Sequence, residues 1–128
     1  MVQQASSGFA QGLKDLCDHI TNMDSRIRFA GVLDGNGKLV EGGMRKNVIP
    51  LLSEGKDDLF YLRTVSRIKE LKDLQGSLGD LAYIFIKMEK IAFVSTSLQE
   101  SDKTLLVSME PDADPSFVIP IIKNALVE

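Results

Sequence analysis

Apolar residues at Phe9, Leu13, Leu16, Cys17, Ile20 and Met23 recur three and four positions apart, with Asp15, Asp18 and Asn22 on the other side. That period predicts an amphipathic helix from about Gly8 to Asn22. Residues 1–7 carry no such stripe and are expected to be a flexible N-terminus ahead of a single domain spanning 8–128. Ile27–Asp34 is rich in β-branched and bulky residues and reads as a strand. Asp34-Gly-Asn-Gly37 supplies two residue types that tolerate positive φ, so a hairpin turn and a returning strand, Lys38–Met44, follow. Arg45–Gly55 is a connector containing Pro50, in which Val48, Ile49, Leu51 and Leu52 are expected to be pinned to the core.

A second helix is predicted over Lys56–Gln75, with Asp57 and Asp58 as opening caps and a stop near Gly76. Its apolar positions wind around the axis. Tyr61, Leu62, Val65 and Ile68 form one stripe, while Phe60, Leu71 and Leu74 lie off it. A helix apolar on two sides needs two things to cover it. Leu81–Lys87, Ile91–Leu98 and Thr104–Met109 read as three further strands, joined by turns at Met88–Lys90 and Gln99–Lys103. Asp114-Pro115 opens a last helix to Val127, which Pro120 is expected to kink or delay. The order α-β-β-α-β-β-β-α predicts an α+β domain, its five-stranded, mainly antiparallel sheet covered by helices.

Composition narrows the function. At 128 residues the chain suits one domain, and 44% hydrophobic with 26% charged residues is ordinary for a globular protein. A net charge of −3, without a basic stripe, argues against nucleic acid as a partner. The longest apolar runs fall far short of the roughly 20 residues a membrane span needs. The first residues have neither the basic nor the apolar region of a secretion signal, and one cysteine forms no internal disulfide, so a cytoplasmic location is expected.

Catalytic chemistry finds little support. His19 is the only histidine, and Cys17 two positions before it reads as a core residue, so neither a metal site nor a nucleophile is predicted. No phosphate-binding glycine motif fits: Gly37 and Gly42 have the P-loop spacing, but Gly43 stands where lysine is required. Asp34–Lys38 resembles a calcium loop only until Lys38 and Arg45 occupy positions that need acids. No catalytic residue, metal or cofactor is assigned. Gly42, Gly43, Arg45 and Lys46 could form a nest for an anion, although solvated charge at a strand end accounts for the same residues.

The run Arg26–Arg45 resembles an uncharacterised family of small cytosolic proteins of ammonia-oxidising (thaumarchaeal) archaea. The shared features are an Ile-Arg-Phe strand, a glycine-containing turn and a Leu-Val-x-Gly-Gly return, with Leu78-Gly79, Glu89-Lys90 and Glu110–Asp114 extending the likeness over most of 10–128. It implies an archaeal source and a cytoplasmic location. Separately, the element order is similar to the roadblock arrangement of the profilin-like group. That resemblance implies a non-enzymatic module that dimerises through its second helix and the adjacent edge strand and often regulates or scaffolds small Ras-type GTPases. The expected dimer contact is Phe60, Leu71 and Leu74 with Tyr83 and Phe85. The alternative is a small-ligand-sensing domain whose ligand meets Gly42, Gly43, Arg45 and Lys46 at the loop Gly42–Asn47.

Overall fold

The computed structural model describes residues 2–98 and 101–127, so part of the predicted turn Gln99–Lys103 lies outside the described residues. The elements follow in the order α1 (Val2–Met23), β1 (Ile27–Leu33), β2 (Leu39–Met44), α2 (Lys56–Lys72), α3 (Gln75–Leu78), β3 (Ile84–Lys87), β4 (Ala92–Ser97), β5 (Thr104–Met109) and α4 (Pro115–Val127). The strands form one sheet in the order β2-β1-β5-β4-β3, and every neighbouring pair is antiparallel. The α+β class, the five strands and their direction are those the sequence predicts.

Burial divides between the two faces. On one, α1 and α4 cover Ala30, Val32, Val94, Leu105, Val107 and Met109, with Cys17, Ile20, Val118 and Ile122 supplied by the helices. On the other, α2 sets Val65, with Phe60 and Tyr61, against Phe29, Leu33, Phe93 and Leu106. β1, β4 and β5 are buried on both sides because both sides are covered, and they are mostly apolar apart from the hydroxyl residues Ser95, Thr96, Thr104 and Ser108. In β1 a shift in register between Ile27 and Phe29 lets Ile27 join the first core and Phe29 the second.

The caps explain several boundaries. In the β1–β2 turn the Asp34 carboxylate accepts from the Asn36 and Lys38 amides at 2.8 and 3.0 Å, which holds its pKa below the usual carboxylate range. Asp114 opens α4 as predicted, accepting from the Ser116 amide and hydroxyl at 2.9 and 2.8 Å. Pro120 lies inside α4, so the helix starts on time and tolerates the missing amide there.

Four expectations need correction. Helix α1 begins at Val2, not near Gly8. Helix α2 is entered through Gly55 at φ 91° without a side-chain cap, and Asp57 accepts only from its neighbour's amide, so the two aspartates act through charge. α2 then stops at Lys72, and the left-handed residue that ends this region is Gly79, not Gly76, after the separate turn α3. The connector is not pinned to the core: Ile49 is 81% exposed, and Leu51 and Leu52 remain largely in solvent. Leu51 and Leu52 instead line a half-open cavity beside Phe29 and Leu106.

Gly42 shows how tightly α1 sits. It has φ 85°, and an added Cβ would lie 2.2 Å from the Ala30 carbonyl oxygen and 2.9 Å from Cys17 Sγ. Gly12, on the exposed side of α1, would meet nothing within 4 Å. Gly42→Ala should therefore lower stability by about 2 kcal/mol or more, whereas Gly12→Ala should raise it by about 0.5–1 kcal/mol. Urea unfolding of both variants checks the opposite signs.

Candidate interaction surfaces

One surface is built from α2 and β3. Phe60, Thr64, Arg67 and Leu71 are spaced by four, three and four residues, which places them on one side of α2, and Leu74 follows just past its end, at the start of α3. This side lies toward β4 and β3: the Phe60 ring meets Phe93 edge-on at 5.0 Å, and Ile86 packs on the same cluster. Down the stripe the cover thins, from half-buried Phe60 and Leu71 to Leu74 at 49% exposure and Leu78, just beyond it in α3, at 74%.

The sheet separates the other two residues expected at this contact. Phe85 pairs with Val94 and packs into the core beneath α4, while Tyr83 lies 5.7 Å from the Lys123 ammonium of α4. On the α2 side of β3 stand Ile84 and Ile86, opposite Ser95 and Phe93. Thus Phe60 packs on the sheet with Phe93, Leu71 follows it along the same side of α2, and Leu74 stands past the helix end. Tyr83 and Phe85 lie on the far face, and Ile84, Ile86 and Leu78 are further apolar residues that the sequence reading did not name for this surface. Strand alternation carried the signal for the two isoleucines once Phe93 was known to face α2.

The two sheet edges differ. β2 contains Gly42 at φ 85° and a register shift opposite Val32–Leu33, both of which distort its outer backbone. β3 has the sequence Ile-Phe-Ile-Lys, without a proline, glycine or bulge.

The loop after β2 is arranged around Arg45. Its Nε donates to the Ile27 carbonyl at 2.7 Å, and its terminal nitrogen to the Asp24 carbonyl at 2.7 Å and to the Thr21 carbonyl. The guanidinium therefore clamps the C-terminal end of α1, where unpaired carbonyls and the helix dipole favour a cation. Gly42 turns its amide to the carboxylate of Glu41 at 3.3 Å, and only Lys46 extends into solvent. The groove between α1 and β2 holds Glu41 and Asp18 as well as Lys46, so its charge is mixed.

Cys17 forms part of that groove's wall but is itself buried. Burial first, then the Glu41 and Asp18 carboxylates, push its thiol up to about 11. Among the described residues no group of three His, Cys, Asp or Glu is placed to hold a metal ion. No helix among them is long and apolar enough to cross a membrane.

With this geometry in view, the comparisons with known proteins are informative about the fold. No protein-family model matches the chain, and no curated protein matches it. Solved structures do. The gliding protein MglB of Thermus thermophilus superposes with a TM-score of 0.74 at 13% identity, over 91% of this chain and 84% of that one. MglB of Myxococcus xanthus gives 0.70 at 17% identity over 90% and 89%. A roadblock/LC7 domain of Streptomyces avermitilis gives 0.68 at 11% identity over 90% and 92%. The chain has the roadblock/LC7 fold.

Two outcomes follow from the loop. Phosphate at constant ionic strength should leave the melting temperature unchanged, whereas Arg45→Ala should lower it, because the α1 carbonyls lose their donor; differential scanning fluorimetry reads both. For Cys17 the folded pKa lies above the unfolded one. Its contribution to stability is therefore complete below about pH 8.5 and declines as pH rises toward 11. A Cys17→Ala variant should lack that alkaline component in urea titrations. In the wild type, a thiol reagent should react at neutral pH only as fast as the protein opens.

Proposed function

We propose that the chain is a non-enzymatic regulatory or scaffold module that acts as a homodimer and presents its surface to a protein partner such as a small GTPase. The observation that carries this reading is the junction of α2 and β3. An undistorted apolar edge strand closes the sheet on the side of β4 that α2 packs against, and the leucines from Leu71 at the end of α2 through Leu74 to Leu78 in α3 become steadily more exposed. Each large apolar side chain fully removed from water contributes roughly 1.5–3 kcal/mol, so Leu74 and Leu78 together with Ile84 and Ile86 form a favourable self-complementary patch. Strand pairing across a two-fold axis at β3 would also satisfy the backbone groups of that edge. The distorted β2 edge offers no equivalent, so it is the lesser candidate. The roadblock resemblance supports the same helix and strand, and the GTPase as partner class. The sequence likeness to archaeal proteins supports a cytoplasmic setting in an archaeon.

Light scattering on the size-exclusion peak should give twice the monomer mass at micromolar protein. Leu71→Asp with Leu74→Asp should halve that mass and leave the far-ultraviolet circular dichroism of a folded domain. A wild-type mass equal to one chain would defeat the dimer. Tagged wild-type protein should also retain a small GTPase from native extract, in a nucleotide-dependent way, and failure to do so would remove the partner class.

A further inference from the structure

Between the sheet and the first turn of α2 lies a half-open cavity of about 140 Å³. An apolar cavity of about 150 Å³ takes up one benzene molecule, so this space is the size of a single ring. Its walls are aromatic. Phe29 and Tyr61 stack at 5.8 Å with 30° between their planes, and Phe60 lies 6.1 Å from Tyr61. Such faces and edges favour an aromatic guest over an aliphatic one.

Two polar groups give the guest a direction. Ser108 comes from the central strand β5 and is 5% exposed; it lines the cavity, and its hydroxyl has no hydrogen-bond partner among the described residues. That hydroxyl is open to a guest in the cavity as donor or acceptor, whereas the buried side-chain polar atom without a partner among the described residues is Arg28 Nε. Asp57 also lines the cavity, at the start of α2, and forms no ion pair among the described residues. Arg28 lines it too, but its charge is already balanced: one terminal nitrogen meets Glu110 at 2.8 Å and the other the Ile49 carbonyl at 2.8 Å. The uncompensated charge at the cavity is therefore negative. In agreement, the Tyr61 hydroxyl is pushed up by burial first and then by the nearby Asp57 and Asp58 carboxylates.

We propose that this cavity binds a single-ring aromatic amine, with the ring among Phe29, Phe60 and Tyr61, the ammonium on Asp57 and a ring hydroxyl on Ser108. The connector that carries Leu51 borders the opening and is tied to the same site through the Arg28–Ile49 bond. A ligand seated there would be gripped from the sheet, the helix and the connector together. The site lies within one chain, and Phe60 is the residue it shares with the expected dimer contact.

The test is a titration of the full-length, isotope-labelled protein with tyramine, phenethylamine and 4-hydroxyphenylacetate, followed through its backbone amide resonances. Tyramine should give saturable shifts at Phe29, Tyr61 and Ser108 with a Kd of about 1 mM or tighter. It should bind roughly tenfold more tightly than 4-hydroxyphenylacetate, the gap expected from one charge-assisted contact. Asp57→Asn should abolish that preference, and Ser108→Ala should erase the advantage of tyramine over phenethylamine, both variants retaining the wild-type spectrum elsewhere. Absence of saturable shifts at about 10 mM tyramine, or equal binding of the acid, overturns the proposal. So does a result in which the blocked dipeptide Phe-Arg shifts these resonances while tyramine does not, since the cavity would then receive a partner protein's side chain.

Discussion

A five-stranded sheet is wider than one helix. Strands about 4.8 Å apart make it roughly 20–24 Å across, whereas a helix with its side chains spans only about 10–12 Å. On one face of this protein two helices, α1 and α4, match that width and bury a continuous core. On the other face α2 is alone, and its core is smaller. The mismatch has three consequences. The connector from Arg45 to Gly55 lies against the helix with its apolar side chains largely exposed. A cavity opens between the sheet and the start of α2. The strand farthest from α1, β3, is left with half-covered isoleucines beside exposed leucines.

The same constraint explains why particular close contacts fall on glycine. At Gly37 the β1–β2 turn meets the α2 backbone, where a Cβ would lie 2.7 Å from Leu62 Cα. This contact fixes the helix laterally over the sheet. Lys69 adds a second tie at the same end, donating to the Gly35 carbonyl at 2.7 Å. At Gly42, α1 is fixed on the opposite face.

What could be read from the sequence was local. The Asp34–Gly37 turn, the Asp114 cap and the strand β5 depend on neighbours within a few residues, and they stand where the sequence puts them. The two-sided reading of α2 was legible only in part: Val65 and Ile68 are buried as the period predicts, but Phe60 joins the same core as Val65 and Leu62, expected in the inner stripe, is 47% exposed. Long-range partners were not legible. Arg45 beside two glycines reads as an anion nest until the fold brings the Thr21, Asp24 and Ile27 carbonyls around it. Tyr83 and Phe85 read as part of a dimer surface until pairing with β4 turns them away from α2. Ser108 reads as an ordinary strand residue, and only the meeting of β5, α2 and the connector puts it on the wall of a cavity.

The unequal edges of the sheet bear on how large an assembly can grow. Strands join edge to edge, and a sheet with two competent edges can add copies at both without limit, as fibrils do. Here the glycine-bent β2 is a poor template and the straight β3 a good one. A chain with one competent edge acts as its own terminator: pairing at β3 uses up the only receptive strands and leaves distorted ones at both outer ends. If copies pair at β3, such an architecture admits association in pairs and disfavours polymer, and Gly42 then shapes the outer edge as well as the packing of α1.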